Sequence, residues 1–168
     1  MKARGHYLGA HSNEHLLYAP WEKRDSLLVS QPIFNKDLQQ NYAAMKRFGV
    51  DKKDATFFLP PYEWYNDSIA AWTRQLGLQL INYSPGTISH ADYTWPALKN
   101  YRSSETILTS IKTYAEKHPV GLNGFILLMH IGTDPRRRDK FYHHLPELIR
   151  WLKAKGYGFE TIDLLLKQ

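Results

Sequence analysis

Thr56-Phe57-Phe58-Leu59-Pro60-Pro61-Tyr62 is a short apolar run stopped by two prolines. Such a run is too brief for a helix and has no polar alternation, so it reads as a strand buried on both faces, as in a parallel sheet. The prolines lack the N–H a ladder needs and end it. Working outward, residues 35–48 read as a helix, with Asn35 as N-cap, Leu38, Tyr42, Met45 and Phe48 on one face, and Gly49 as the stop. Residues 67–76 read as a second helix closed by Gly77, and residues 78–83 as another strand. The alternation continues with a helix over 104–117 and a strand over 125–129, the most strongly buried candidate. A helix opens near Pro146 and stops at Gly156, then come a strand over 157–161 and a short apolar helix over 162–166. Upstream, residues 6–10 read as a strand. Strand and helix in alternation predict an α/β fold, in which chemistry gathers at the carboxyl ends of the strands.

At 168 residues the chain is expected to form one domain, residues 1–168, with a real core. The formal charge of +6 favours anionic partners, yet the one dense basic run, Arg136-Arg137-Arg138, lies between Asp134 and Asp139 and reads as a solvated loop. No nucleic-acid motif supports such a partner. Cysteine is absent, which excludes disulfides and thiolate zinc sites. No stretch approaches a membrane span, and residues 1–6 do not read as a signal peptide. The 5 Trp, 11 Tyr and 7 Phe suit a carbohydrate groove, although most are expected to pack the interior.

The candidate chemistry begins at Gly9-Ala10-His11-Ser12-Asn13-Glu14-His15. Two imidazoles four positions apart on one helical turn point the same way and reach a single metal ion. The protease signature His-Glu-x-x-His has this spacing, but Ser12 stands where its glutamate belongs, so the protease reading fails at the base. Three further runs fall at expected strand ends: Pro60-Pro61-Tyr62, Asp92-Tyr93-Thr94-Trp95 and Leu128-Met129-His130. His143-His144 is expected to decorate a helix surface, because adjacent residues face different ways.

In this order the four runs resemble those of the polysaccharide deacetylase family, the NodB-homology carbohydrate esterases, over nearly the whole chain. The resemblance implies a distorted (β/α) barrel. His11-Ser12-Asn13-Glu14-His15 is similar to the family's His-Ser/Thr-x-x-His motif. That implies His11 and His15 as ligands of a divalent metal ion, zinc above all, with Ser12 holding the loop by a hydrogen bond. Leu59-Pro60-Pro61-Tyr62 is similar to Arg-Pro-Pro-Tyr, which implies a groove at Pro60 and Pro61 and a Tyr62 backbone N–H that donates to the oxyanion. Asp92 and Trp95 would line the other wall. Leu128 would form the acetyl-methyl pocket, and His130 would protonate the leaving amine.

The implied function is metal-dependent removal of acetyl groups from N-acetylated or O-acetylated poly- or oligosaccharide. Three departures bear on it. Leu59 replaces the usual arginine, Glu63 stands where glycine is common, and the Thr-Phe-Asp-Asp motif is absent. That motif supplies the water-activating base and the third metal ligand. Its absence predicts a partial barrel lacking its first strand and helix, with weak metal affinity and slow or absent hydrolysis. A longer form bearing a leader would be periplasmic or extracellular. The competing readings are a non-catalytic carbohydrate-binding relative and an interaction domain that forms oligomers through an open sheet edge.

Overall fold

The computed structural model describes residues 1–166, which pack as two compact units. The first comprises Met1–Asn82 together with residues 161–166. At its centre β1 (Phe57–Phe58) pairs in parallel with β2 (Gln79–Leu80), Phe57 opposite Gln79 and Phe58 opposite Leu80. On its other side β1 meets Ala10, also in parallel. The Ala10 N–H donates to Phe57 O at 3.3 Å and the Leu59 N–H to Ala10 O at 3.1 Å. This central place explains why both phenylalanines are buried. The regular sheet is small; of the expected strand over 6–10, only Ala10 joins it.

The parallel returns run through helices, as parallel pairing requires. Helix α1 (Gln31–Lys46) lies between Ala10 and β1, and α2 (Asp67–Gln75) between β1 and β2. Helix α1 starts four residues before the expected Asn35, because Ser30 takes the extended N-cap conformation and a proline occupies the first turn. It ends before Phe48, which is 81% exposed rather than inward. The core gathers Tyr18, Phe34, Leu38, Tyr42, Phe58, Ile69 and Leu78. Helix α2 is capped by Asn66, whose side chain accepts from Ile69 N.

The second unit, Tyr83–Glu160, is built on α3 (Ser104–Lys117) and α4 (Leu145–Ala154). Helix α3 has the expected bounds, and its Ser103 cap accepts from Thr106 N at 3.1 Å. Ile107, Leu108, Ile111, Leu122, Phe141, Leu148 and Leu152 form its core. The strands expected over 125–129 and 157–161 are not formed. Ile126 accepts from Ser84 N and donates to Ser84 Oγ, so a side chain takes one bond of the ladder. At 157 the backbone N–H returns to Leu152 O, as a helix terminus does. An apolar run becomes a strand only where a neighbouring backbone supplies the ladder. The last short helix, α5 (Ile162–Leu165), belongs to the first unit. Among the described residues no helix is long and apolar enough to cross a membrane.

Candidate metal-binding pair and histidine dyad

His11 and His15 do not share a helical turn. The segment is an irregular loop in which Ser12 (φ 73°) and His15 (φ 53°) take the left-handed conformation. The imidazoles nevertheless meet, with ring centres 5.1 Å apart and planes at 70°. Buried Asp37 on α1 shapes the loop. It accepts from Ser12 Oγ at 2.6 Å, from Asn13 N at 3.1 Å and from Glu14 N at 2.8 Å. Ser12 Oγ in turn accepts from His15 N at 3.0 Å, so the serine does hold the loop. These bonds offset the left-handed backbone, a conformation that costs a non-glycine residue about 1–2 kcal/mol.

The donor chemistry suits a metal in part. His11 Nδ1 lies 2.8 Å from Leu59 O. A carbonyl only accepts, so Nδ1 carries the proton and Nε2 holds the lone pair, as in histidines that bind a metal through one ring nitrogen and donate from the other. Two imidazoles on one tetrahedral zinc have ring centres about 5 Å apart, given a metal–nitrogen distance near 2.0–2.1 Å. The observed separation agrees. A water-activating site takes three protein ligands, and here the fit stops: among the described residues no group of three or more His, Cys, Asp or Glu side chains is placed to hold an ion.

The turn after β1 runs beside this pair. Pro60 and Pro61 are buried, so they stiffen the turn and leave the exposed contact to Tyr62, which is 46% exposed and edge-on to His15 at 4.6 Å. Glu63 N–H and Trp64 N–H donate to Pro60 O and Pro61 O, while the Tyr62 amide takes no part in these turn bonds. Tyr62 (φ 59°) and Glu63 (φ 53°) are consecutive left-handed residues. Glycine takes that conformation without a Cβ penalty but loses more entropy on folding. Glu63→Gly is therefore expected to stabilise the protein by about 0.5–1 kcal/mol in a urea titration; a loss of stability would show that the Glu63 side-chain contacts outweigh the relief.

In the second unit Asp92 is only 1% exposed. Both its oxygens serve His130: Oδ2 accepts from the backbone N at 2.7 Å, and Oδ1 lies 2.6 Å from Nδ1. Asp92 thus orients the imidazole and favours the Nδ1–H tautomer. Tyr93 meets His130 edge-on at 5.9 Å. Phe125, Leu127 and Met129 pack on the second core. Trp95 is half-buried, with the Arg136 guanidinium 4.0 Å from its ring centre. Nearby, burial pushes the His90 pKa down, reinforced by His130 and opposed by Asp92.

The basic run is not a solvated loop throughout. Arg137 is fully buried, donating from Nη1 to Thr94 O (2.7 Å) and Arg102 O (3.0 Å) and from Nη2 to Ser104 Oγ (3.0 Å). It ties the segment carrying Asp92 and Trp95 to the start of α3. Asp37 and Arg137 had no motif to mark them, and only an acid among the apolar positions of α1 hinted at the first.

Residues 1–81 match the family model described as polysaccharide deacetylase. Over these residues the chain is similar to the polysaccharide deacetylase family. The matched residues coincide almost entirely with the first unit. Two kinds of solved structure share the fold. A CE4 family pseudoenzyme from Bacillus anthracis is 19% identical, with a TM-score of 0.65 over 95% of this chain and 46% of its own. A mutant of that protein, described as having restored enzymatic activity, matches equally at 19% and 0.65. The Bc1960 peptidoglycan N-acetylglucosamine deacetylase is 16% identical, with a TM-score of 0.69 over 99% of this chain and 65% of its own. The chain thus spans about half the length of the first of these structures. No curated protein matches it at a significant level.

Proposed function

We propose that this polysaccharide deacetylase-like chain recognises N-acetylated carbohydrate and carries part of the hydrolytic machinery, with little or no acetate release of its own. The small parallel sheet is read as part of the family's distorted (β/α) barrel. The observation that carries the proposal is the imidazole pair at 5.1 Å, with His11 fixed through Leu59 O. His11 and His15 would hold a divalent ion, zinc by the nitrogen donor set, which when bound polarises an acyl carbonyl and acidifies water. The Tyr62 amide would donate to the oxyanion. Asp92 would hold the His130 ring through Nδ1, and in the imidazolium form the proton on Nε2 would pass to the departing amine. Leu128 would offer an apolar wall to the acetyl methyl, and Trp95 a flat face to the sugar.

No Asp-Asp pair occurs in the sequence, and among the described residues no third His, Cys, Asp or Glu is placed to hold an ion with the pair. Two histidines alone hold zinc weakly, with water filling the remaining positions. A non-catalytic, carbohydrate-binding role is the second reading, favoured by that same incomplete donor set. Acetate assays on chitin oligomers and acetylated xylan with added zinc are expected to give no more than trace release, while calorimetry detects oligomer binding. Turnover in the normal range of about 1–1000 per second would overturn the proposal. Zinc titration is expected to show weak binding lost in His11→Ala; tight binding that survives that change would refute the assignment of the pair.

A further inference from the structure

Trp21 belongs to none of the family-like runs, yet it is 53% exposed in the first unit. Its neighbours are aromatic. Its ring centre lies 5.8 Å from that of Tyr62, edge-on at 82°, and 5.4 Å from that of Trp64, tilted at 36°. Through Tyr62 the row continues to His15 at 4.6 Å. Four rings thus lead in sequence from the imidazole pair along the surface of one unit.

The members of this row differ in what they can offer a ligand. The Arg24 guanidinium sits 4.4 Å from the Trp64 ring centre, and its Nε donates to Tyr65 O at 2.6 Å, which pins the cation there. Trp64 Nε1 donates to Pro20 O, the residue before Trp21, at 3.4 Å. Trp64 is therefore the support, stacked by Arg24 and bonded to the chain that carries Trp21. The Tyr62 ring stands nearly perpendicular to those of Trp21 and His15. Trp21 is the large ring with most of its surface open. An exposed indole fixed by its neighbours pays little ordering entropy on binding and offers a broad apolar face with one N–H donor. The C–H face of a pyranose ring, polar only at its rim, is a matching ligand.

We propose that Trp21 is a sugar-stacking residue, forming a binding subsite for the glycan chain beside the His11–His15 pair. The subsite rests on the carbohydrate reading given above and adds to it a residue outside the motifs. Its role is affinity for neighbouring sugar units, with no part in proton transfer or metal binding.

The test uses the whole chain and chitopentaose, with the deacetylated glucosamine pentamer as comparison, followed by calorimetry and tryptophan fluorescence. Trp21→Ala is expected to weaken chitopentaose binding by about tenfold or more, with Trp21→Phe retaining part of the affinity. The fluorescence change on binding, strong in the parent, should fall in Trp21→Phe. Unchanged affinity in Trp21→Ala, with the parent still binding, would overturn the subsite alone. Failure of the parent to bind either pentamer would overturn the carbohydrate reading beneath it. Circular dichroism matched to the parent establishes that any loss is local, and Trp21→Phe supplies the folded variant if Trp21→Ala does not fold.

Discussion

Arg137→Ala is expected to lower stability by about 3–5 kcal/mol, the largest effect of any single change argued for this protein. The side chain is fully buried, and removing it strands the carbonyls of Thr94 and Arg102 and the Ser104 hydroxyl without their donor. Each buried acceptor left unmet costs roughly 1–3 kcal/mol. Asp139 also loses a guanidinium 3.7 Å away. Burial works against the Asp139 carboxylate, but Ser104, Arg137 and Tyr101 outweigh it and hold its pKa below the usual value. Because that pKa is depressed, its contribution is present above the unfolded value near 3.9 and is lost as pH falls through the folded one. Part of the Arg137→Ala deficit should therefore shrink in acid. Thermal unfolding is the measurement, with a fall in Tm of roughly 10 °C expected. Arg137→Lys should recover little, because one ammonium cannot span three acceptors set for a planar fork. Full recovery by lysine would show that charge alone matters there.

Asp37→Asn is expected to reduce zinc affinity at the imidazole pair by about ten- to a hundredfold while leaving both histidines in place. All three groups facing the carboxylate are donors: Ser12 Oγ, Asn13 N and Glu14 N. An amide keeps one acceptor oxygen and turns a donor toward them, so the loop loses bonds and gains a conflict. Without that anchor the Ser12 Oγ–His15 N bond is left to support the left-handed backbone at Ser12 and His15. The imidazoles then sample many separations rather than one near 5.1 Å. Stability should fall as well, by roughly 1–3 kcal/mol, since Asp37 is buried. Isothermal titration with zinc, alongside urea unfolding, separates the two effects. Unchanged zinc affinity with lowered stability would assign Asp37 to the fold alone.

Both residues show what kind of information a sequence carries. Helix α3 could be read to the residue because its signals are local: Ser103 caps it, the apolar positions recur with helical period, and His118-Pro119 follows it. The stop after β1 was equally legible, since proline cannot extend a ladder whatever surrounds it. The family-like runs stood out for the same reason, being residue types at fixed short spacings. The expected strand over 125–129 failed because its apolar character is shared by any half-buried segment, and pairing depends on a backbone distant in sequence.

The four-residue spacing of His11 and His15 suggested a helix, and the rings do meet, but the physical cause is different. A carboxylate 22 positions beyond His15 folds the loop, and a carbonyl 48 positions beyond His11 sets that ring's tautomer. Sequence by itself determined which chemical groups are present and the bounds of the helices whose caps and stops lie within a few residues. Tertiary structure alone decided that Asp92 is buried beneath His130, that Arg137 is enclosed, and that Trp21 stands open beside Tyr62. Those outcomes rest on contacts between residues far apart along the chain, and no local preference encodes them.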